Sequence, residues 1–134
     1  MLNDPSEILE EKTSKIAILN LRKDGIMTLE PKLEETEQNI ESMKIDFKIL
    51  KDWAKDKKLG FLVDARRFKK FDADSRAYAQ KNAPIFATKY AVIITSGMSS
   101  FLANIFLYIN RPNIPTRLFT NKEDAVNWLK TTSK

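Results

Sequence analysis

Lys15-Ile16-Ala17-Ile18-Leu19-Asn20-Leu21-Arg22-Lys23-Asp24-Gly25-Ile26-Met27-Thr28-Leu29-Glu30 decides how this chain begins to fold. Residues 15–22 alternate, with Ile16, Ile18 and Asn20 on one face and Ala17, Leu19 and Leu21 on the other, which is the period of a strand. Residues 26–30 make a second short run after Asp24-Gly25. Asp-Gly between two apolar runs is the strongest short hairpin signal, because both turn positions tolerate positive φ. The two runs are expected to pair antiparallel, and Pro31 ends the second.

Downstream of the hairpin the apolar period changes. Ile40, Met43, Phe47, Leu50 and Ala54 recur at three- and four-residue spacing, so a helix is expected over residues 36–57. Residues 59–65 (LGFLVDA) and 90–95 (YAVIIT) are short continuous apolar runs, the mark of buried parallel strands. A helix is expected from Asp72 to Asn82 and another from Met98 to Ile109. Residues 116–119 read as a last strand. Thr120 and Glu123 fit a capping box for a final helix that buries Ala125, Trp128 and Leu129. The expected fold is a single α/β domain: a hairpin followed by βα units (ββαβαβαβα), with helices packed on a mixed, mostly parallel sheet. The domain is expected over residues 15–134. Residues 1–14, acidic and polar, read as a leader that frays or forms a short helix.

Composition narrows the chemistry. The 134 residues contain no cysteine and no histidine, which excludes disulfides, thiolate and imidazole metal sites, cysteine nucleophiles and histidine-based triads. No metal, cofactor or catalytic residue is expected, and the chain does not read as an enzyme. The net charge of +5 is spread along the chain and interleaved with acids, as in Lys55-Asp56-Lys57-Lys58, so nucleic acid is not the expected partner. The start of the chain has no basic region followed by an apolar core, so no secretory signal is expected. Residues 91–109 are 19 residues without a charge, but five of their six polar residues fall between Thr95 and Ser100. Such a cluster would sit near a bilayer centre with nothing to satisfy it, so strand–turn–helix is the better parse. A cytoplasmic protein with no transmembrane segment is expected.

The order of elements and three local strings resemble the STAS superfamily, the anti-sigma-factor-antagonist-like (STAS or Sec14-like) fold, in an uncharacterised branch. The strings are the opening hairpin at residues 18–26, Phe61-Leu62-Val63-Asp64-Ala65-Arg66-Arg67, and residues 118–129 (LFTNKEDAVNWL). Antagonists of that family carry Asp-Ser-Ser-Gly where the helix after the middle strand begins, and a partner kinase phosphorylates the second serine. The matching positions here are Asp72, Ala73, Asp74 and Ser75. Aspartate therefore stands at the phosphoacceptor position, with Ser75 one place late, and no phosphoacceptor is expected. The resemblance implies a fold and a regulatory setting rather than an activity.

Two candidate sites stand out. Arg66, Arg67, Lys69 and Lys70 leave a parallel strand, where ligands of open α/β sheets collect. Ser96, Gly97, Ser99 and Ser100 leave the next strand and open a helix, whose free N–H groups favour anions. Together they suit a phosphate or lipid headgroup, against the plainer reading of a solvated loop beside a serine-rich cap. Asp64 beside Arg66 or Arg67 reads as a structural ion pair. The helix over residues 98–109 is apolar nearly all round, so it is either buried on both sides or faces a partner or ligand.

On the long helix, Ile45, Ile49 and Trp53 step by four along a line opposite the core stripe. They are expected to face solvent as a self-association or partner surface. Alternatively the leader, through Ile8 and Leu9, covers them. The leading expectation for function is a non-catalytic STAS-like protein-interaction or regulatory module, with a protein partner or a second copy. The alternative is a carrier of a small apolar or anionic, lipid-like molecule.

Overall fold

The computed structural model describes residues 2–32, 36–37, 39–70, 73–95 and 114–131. The elements are β1 (Ile8–Thr13), β2 (Ala17–Arg22), β3 (Met27–Pro31), β4 (Thr36–Glu37), α1 (Ile40–Ala54), β5 (Leu59–Asp64), β6 (Phe68–Lys70), α2 (Ala73–Asn82), β7 (Ala87–Ile93), β8 (Thr116–Phe119) and α3 (Lys122–Lys130). A six-stranded sheet runs β1-β2-β3-β5-β7-β8, and β4 pairs with β6 in a separate parallel pair. Strands β1, β2 and β3 are antiparallel, and β3, β5, β7 and β8 are parallel. The α/β class holds, while the simple ββαβαβαβα order does not: a strand precedes the hairpin and a small parallel pair flanks α1 and β5. The helix expected over residues 98–109 lies outside the described residues.

The hairpin pairs antiparallel as expected, with Leu19 opposite Leu29. Its turn differs in one respect. Arg22 N–H bonds Ile26 O at 2.9 Å and Gly25 N–H bonds Arg22 O at 3.0 Å, leaving a three-residue loop. Gly25 sits at φ +84°, whereas Asp24 keeps a negative φ. One left-handed residue suffices in a three-residue loop, and glycine adopts it without a Cβ clash.

Residues 8–13 correct the expectation of a leader. Ile8–Thr13 is an edge strand, paired antiparallel with β2 through an irregularity between Ile8 and Glu10. Edge pairing is made by backbone groups, so a polar, charged string serves, and charge with a bulge discourages further strand addition. The long helix matches its apolar stripe, Ile40 to Ala54, and is shorter than the expected span 36–57, because Asn39 caps it by accepting Ser42 N–H at 2.9 Å. The final helix is capped by Asn121, which accepts Asp124 N–H at 2.9 Å, rather than by Thr120.

The apolar side chains divide between two faces. Met43, Phe47, Leu50 and Ala54 of α1 lie on Leu19, Leu29, Phe61 and Val63 of the sheet, with α2 alongside. Aromatic rings join this core: Phe47 meets Phe86 at 5.1 Å edge-on, and Phe61 stacks on Tyr90 at 5.3 Å. On the opposite face, Ala125, Val126 and Leu129 of α3 cover Ile26, Leu62, Ala91 and Ile93. With both faces covered, β5 and β7 are near-continuous apolar strands, as the sequence suggested. No helix among the described residues is long and apolar enough to cross a membrane.

Candidate functional site

The carboxyl ends of β3, β5 and β7 lie side by side, which brings Glu30, Asp64 and the arginines after β5 to one edge of the sheet. Alternation along β5 turns Asp64 to the α3 face, where it is 4% exposed. Arg66 grips it with two charge-assisted bonds, Nε to Oδ1 at 2.9 Å and NH2 to Oδ2 at 2.8 Å. The Asp64 hydrogen bond pushes the Arg66 guanidinium pKa up against its desolvation. Arg67 donates instead to the Pro31 carbonyl at 3.0 Å. Glu30, 2% exposed, accepts the Leu2 amide at 2.7 Å. Both arginines expected to receive an anion are thus held by the chain itself. Lys69 and Lys70 belong to β6, and their side chains lie outside the described residues. Ser96, Gly97, Ser99 and Ser100 also lie outside them. Among the described residues no three carboxylates converge to hold a metal ion.

At the start of α2, Asp74 is exposed in the first turn and Ser75 is 1% exposed. Asp72 lies outside the described residues.

The Ile45, Ile49, Trp53 ladder behaves differently from its expectation. Ile45 is 57% exposed, but Ile49 and Trp53 are half-buried and pack against the main core. The reason is geometric: each four-residue step turns about 40° beyond a full circle, so the ladder winds from the solvent side toward the flank. At the lower end the Trp53 indole N–H donates to Glu10 of β1. The N-terminal segment thus reaches the ladder through a glutamate, while Leu9 points outward at 65% exposure.

Two open grooves flank α1. One of about 580 Å³ lies between the start of α1 and the β1–β2 connection, lined by Ser14, Lys15, Asn39, Ser42 and Ile45 among others. The second, of about 230 Å³, lies between α1 and α2. Beneath the first flank sits Asp46, fully buried, with neither carboxylate oxygen in a hydrogen bond. Burial pushes its pKa up.

Sequence reasoning missed the polar layer on the α3 side of the hairpin. Asn20, Arg22, Thr28 and Glu30 are each 5% exposed or less. Residues 2–7 cover them: Asn3 donates to Thr28 Oγ1 at 2.8 Å and accepts from Arg22 NH1 at 2.8 Å. The network orients the Asn20 amide to donate to Glu11 at 2.9 Å and to accept from Asn3 at 3.2 Å. Arg22 also pairs with Asp24 at 2.8 Å and Glu7 at 3.4 Å, and Glu7 reaches Lys122 of α3 at 3.1 Å. The one available signal was that polar residues alternate on the same face of both strands.

A family model described as "Domain of unknown function (DUF7793)" matches residues 19–133, and the chain belongs to that family. No curated protein matches the chain. Among solved structures it is similar to the crystal structure of a protein with unknown function from Arthrobacter sp. FB24. Identity is 27% over 91% of this chain and 98% of that one, with a TM-score of 0.32.

Proposed function

We propose that this member of the DUF7793 family is a non-catalytic, STAS-like interaction or regulatory module of the cytoplasm. It binds a protein, either a second copy of itself or another chain. The observation that carries this reading is the outer side of α1, where Ile45 stands 57% exposed beside an open groove. Exposed apolar surface rimmed by polar groups marks interaction sites. The residue inventory supports a non-catalytic role. Without histidine or cysteine, acid–base work falls to carboxylates and lysines, and Asp64 is already engaged by Arg66. The interleaved charge supports a protein partner over nucleic acid.

A second reading rests on the larger groove. Its 580 Å³ falls within the roughly 300–1,000 Å³ of small-molecule sites, and Lys15 lines it with Ile45 and with Lys44, which pairs with Glu41 of the same wall. A small apolar–anionic, lipid-like molecule suits that combination.

Native mass spectrometry of protein purified gently from its own host separates the two. A dimer or stoichiometric protein complex that Ile45→Asp dissolves supports the module. A monomer carrying a small-molecule mass that survives Ile45→Asp overturns it in favour of the carrier, and a bare monomer in both forms overturns both.

A further inference from the structure

Deepening that reading, and resting on it, we infer that the cleft between α1 and α2 docks an acidic, amphipathic peptide segment of a partner protein. Lys44, Lys48 and Lys51 line it from α1. Spaced by four and three, they fall within roughly 60° of arc on the flank facing α2. Phe47 and Phe86, 7% and 2% exposed, also line the cleft, and their rings meet at 5.1 Å. Tyr78 of α2 leans on Phe47 at 5.5 Å, and Ile85, 52% exposed, lines it beyond the end of α2.

Three features select the occupant. Among the described residues, no acidic residue lines the cleft. Among the described residues, Lys48 and Lys51 form no salt bridge, while Lys44 has one exposed contact, with Glu41 at 3.7 Å. Like charges three and four apart repel along a helix; the helix dipole favours Lys51 in the last turn and Glu41 offsets Lys44, while Lys48 has neither, and an anionic partner would satisfy all three together. The volume of about 230 Å³ is below the range that holds a small molecule and suits one large apolar side chain as an anchor. The surface is concave between two helices, which fits a protruding side chain better than a flat bilayer. An apolar residue flanked by Asp or Glu satisfies the aromatic interior and the lysine wall together.

The probe is a fluorescein-labelled peptide of Asp and Glu residues around a single Phe, titrated against the full chain by anisotropy, with amide shifts read by NMR. Binding is expected to weaken as salt rises, with shifts centred on Lys48, Tyr78 and Ile85. The double variant Lys48→Glu, Lys51→Glu should weaken binding at least about tenfold with an unchanged circular dichroism spectrum, since both side chains are exposed. Ile85→Asp supplies a second, uncharged-to-charged test at the other side. Equal binding of a peptide with lysines replacing the acids, or with Ala replacing Phe, overturns the inference. So do shifts elsewhere, or tighter binding to phosphatidylglycerol vesicles that displaces the peptide. If the peptide fails while Ile45→Asp still dissolves a protein complex, the cleft assignment falls and the interaction module stands.

Discussion

Arg22→Met should cost the fold about 3 kcal/mol at neutral pH. Arg22 is 5% exposed and sits at the centre of the layer that ties residues 2–7 to the hairpin. Its guanidinium donates to Asp24 through Nε at 3.0 Å and NH2 at 2.8 Å, and to Asn3 Oδ1 at 2.8 Å. Methionine keeps the apolar stem in place, so the change removes polar contacts more than volume. Breaking a buried ion pair from one side costs about 3–5 kcal/mol. The lower end applies because Asp24 is 24% exposed and retains Lys130 at 3.4 Å, while Glu7 retains Lys122 at 3.1 Å. Asn3, 3% exposed, has no such recourse and loses the donor to its Oδ1. With an unfolding entropy of about 2.1 cal/mol/K per residue, the change corresponds to a Tm loss of roughly 10 °C.

The same pairs set a pH signature. Burial raises the Asp24 pKa, but Arg22, the Ile26 amide and Lys130 together bring it below the ordinary value. The Asp4 amide, Lys122 and Arg22 hold Glu7 low as well. A carboxyl depressed in the folded state contributes stability above its unfolded pKa and loses it as pH falls through the folded value. The wild type should therefore lose more than the variant on acidification from neutrality to below pH ~4, and the two curves converge. Urea melts followed by circular dichroism across that range read both effects. A loss under about 1 kcal/mol at neutral pH, or a gap that stays constant into acid, would refute this account of the polar layer.

Asp46→Asn should stabilise the protein by about 1 kcal/mol at neutral pH, since a buried carboxylate without hydrogen bonds is replaced by a neutral isostere. Because burial raises the Asp46 pKa, the contribution of this one carboxyl to wild-type stability is greatest below its unfolded value and is lost as pH rises through the folded one. The gain should therefore vanish in acid, and an acid-insensitive difference in urea midpoints would count against it. Trp53→Phe removes the donor to Glu10 and should speed amide exchange along β1 several-fold by mass spectrometry, with α3 unchanged. Unchanged exchange in β1 would mean that backbone pairing alone holds the strand. Incubation with host lysate and ATP should leave Ser75 unmodified, because it is 1% exposed. Stoichiometric phosphate there would restore a kinase-driven switch.

How much was legible follows from the range over which each feature is decided. The strand period of residues 17–22, the Asp24-Gly25 turn and the helical stripe from Met43 to Ala54 are local, and local spacing was enough to place them. The α/β class followed from the same signals. The edge strand at residues 8–13 was not legible, because what makes it a strand is the backbone of β2 rather than its own side chains. An ion pair of Asp64 with Arg66 or Arg67 was legible, since two or three residues of separation put the partners in reach, and the structure forms it with Arg66. The fate of Asn20, Arg22 and Glu30 was not. Alternation put Asn20 on a face with Ile16 and Ile18 and left Arg22 and Glu30 unassigned, and only the return of residues 2–7 across the α3 side of the hairpin buried them. The lysine row at 44, 48 and 51 stood in the sequence throughout. Its meaning waited on α2 and the turn after it, which bring Tyr78 and Ile85 opposite and, among the described residues, no acid into the cleft. By itself the sequence determined periodicity and therefore which elements form; the tertiary structure decided which polar groups are paired, buried or left open. Those outcomes depend on partners distant in the chain, whose positions no local spacing encodes.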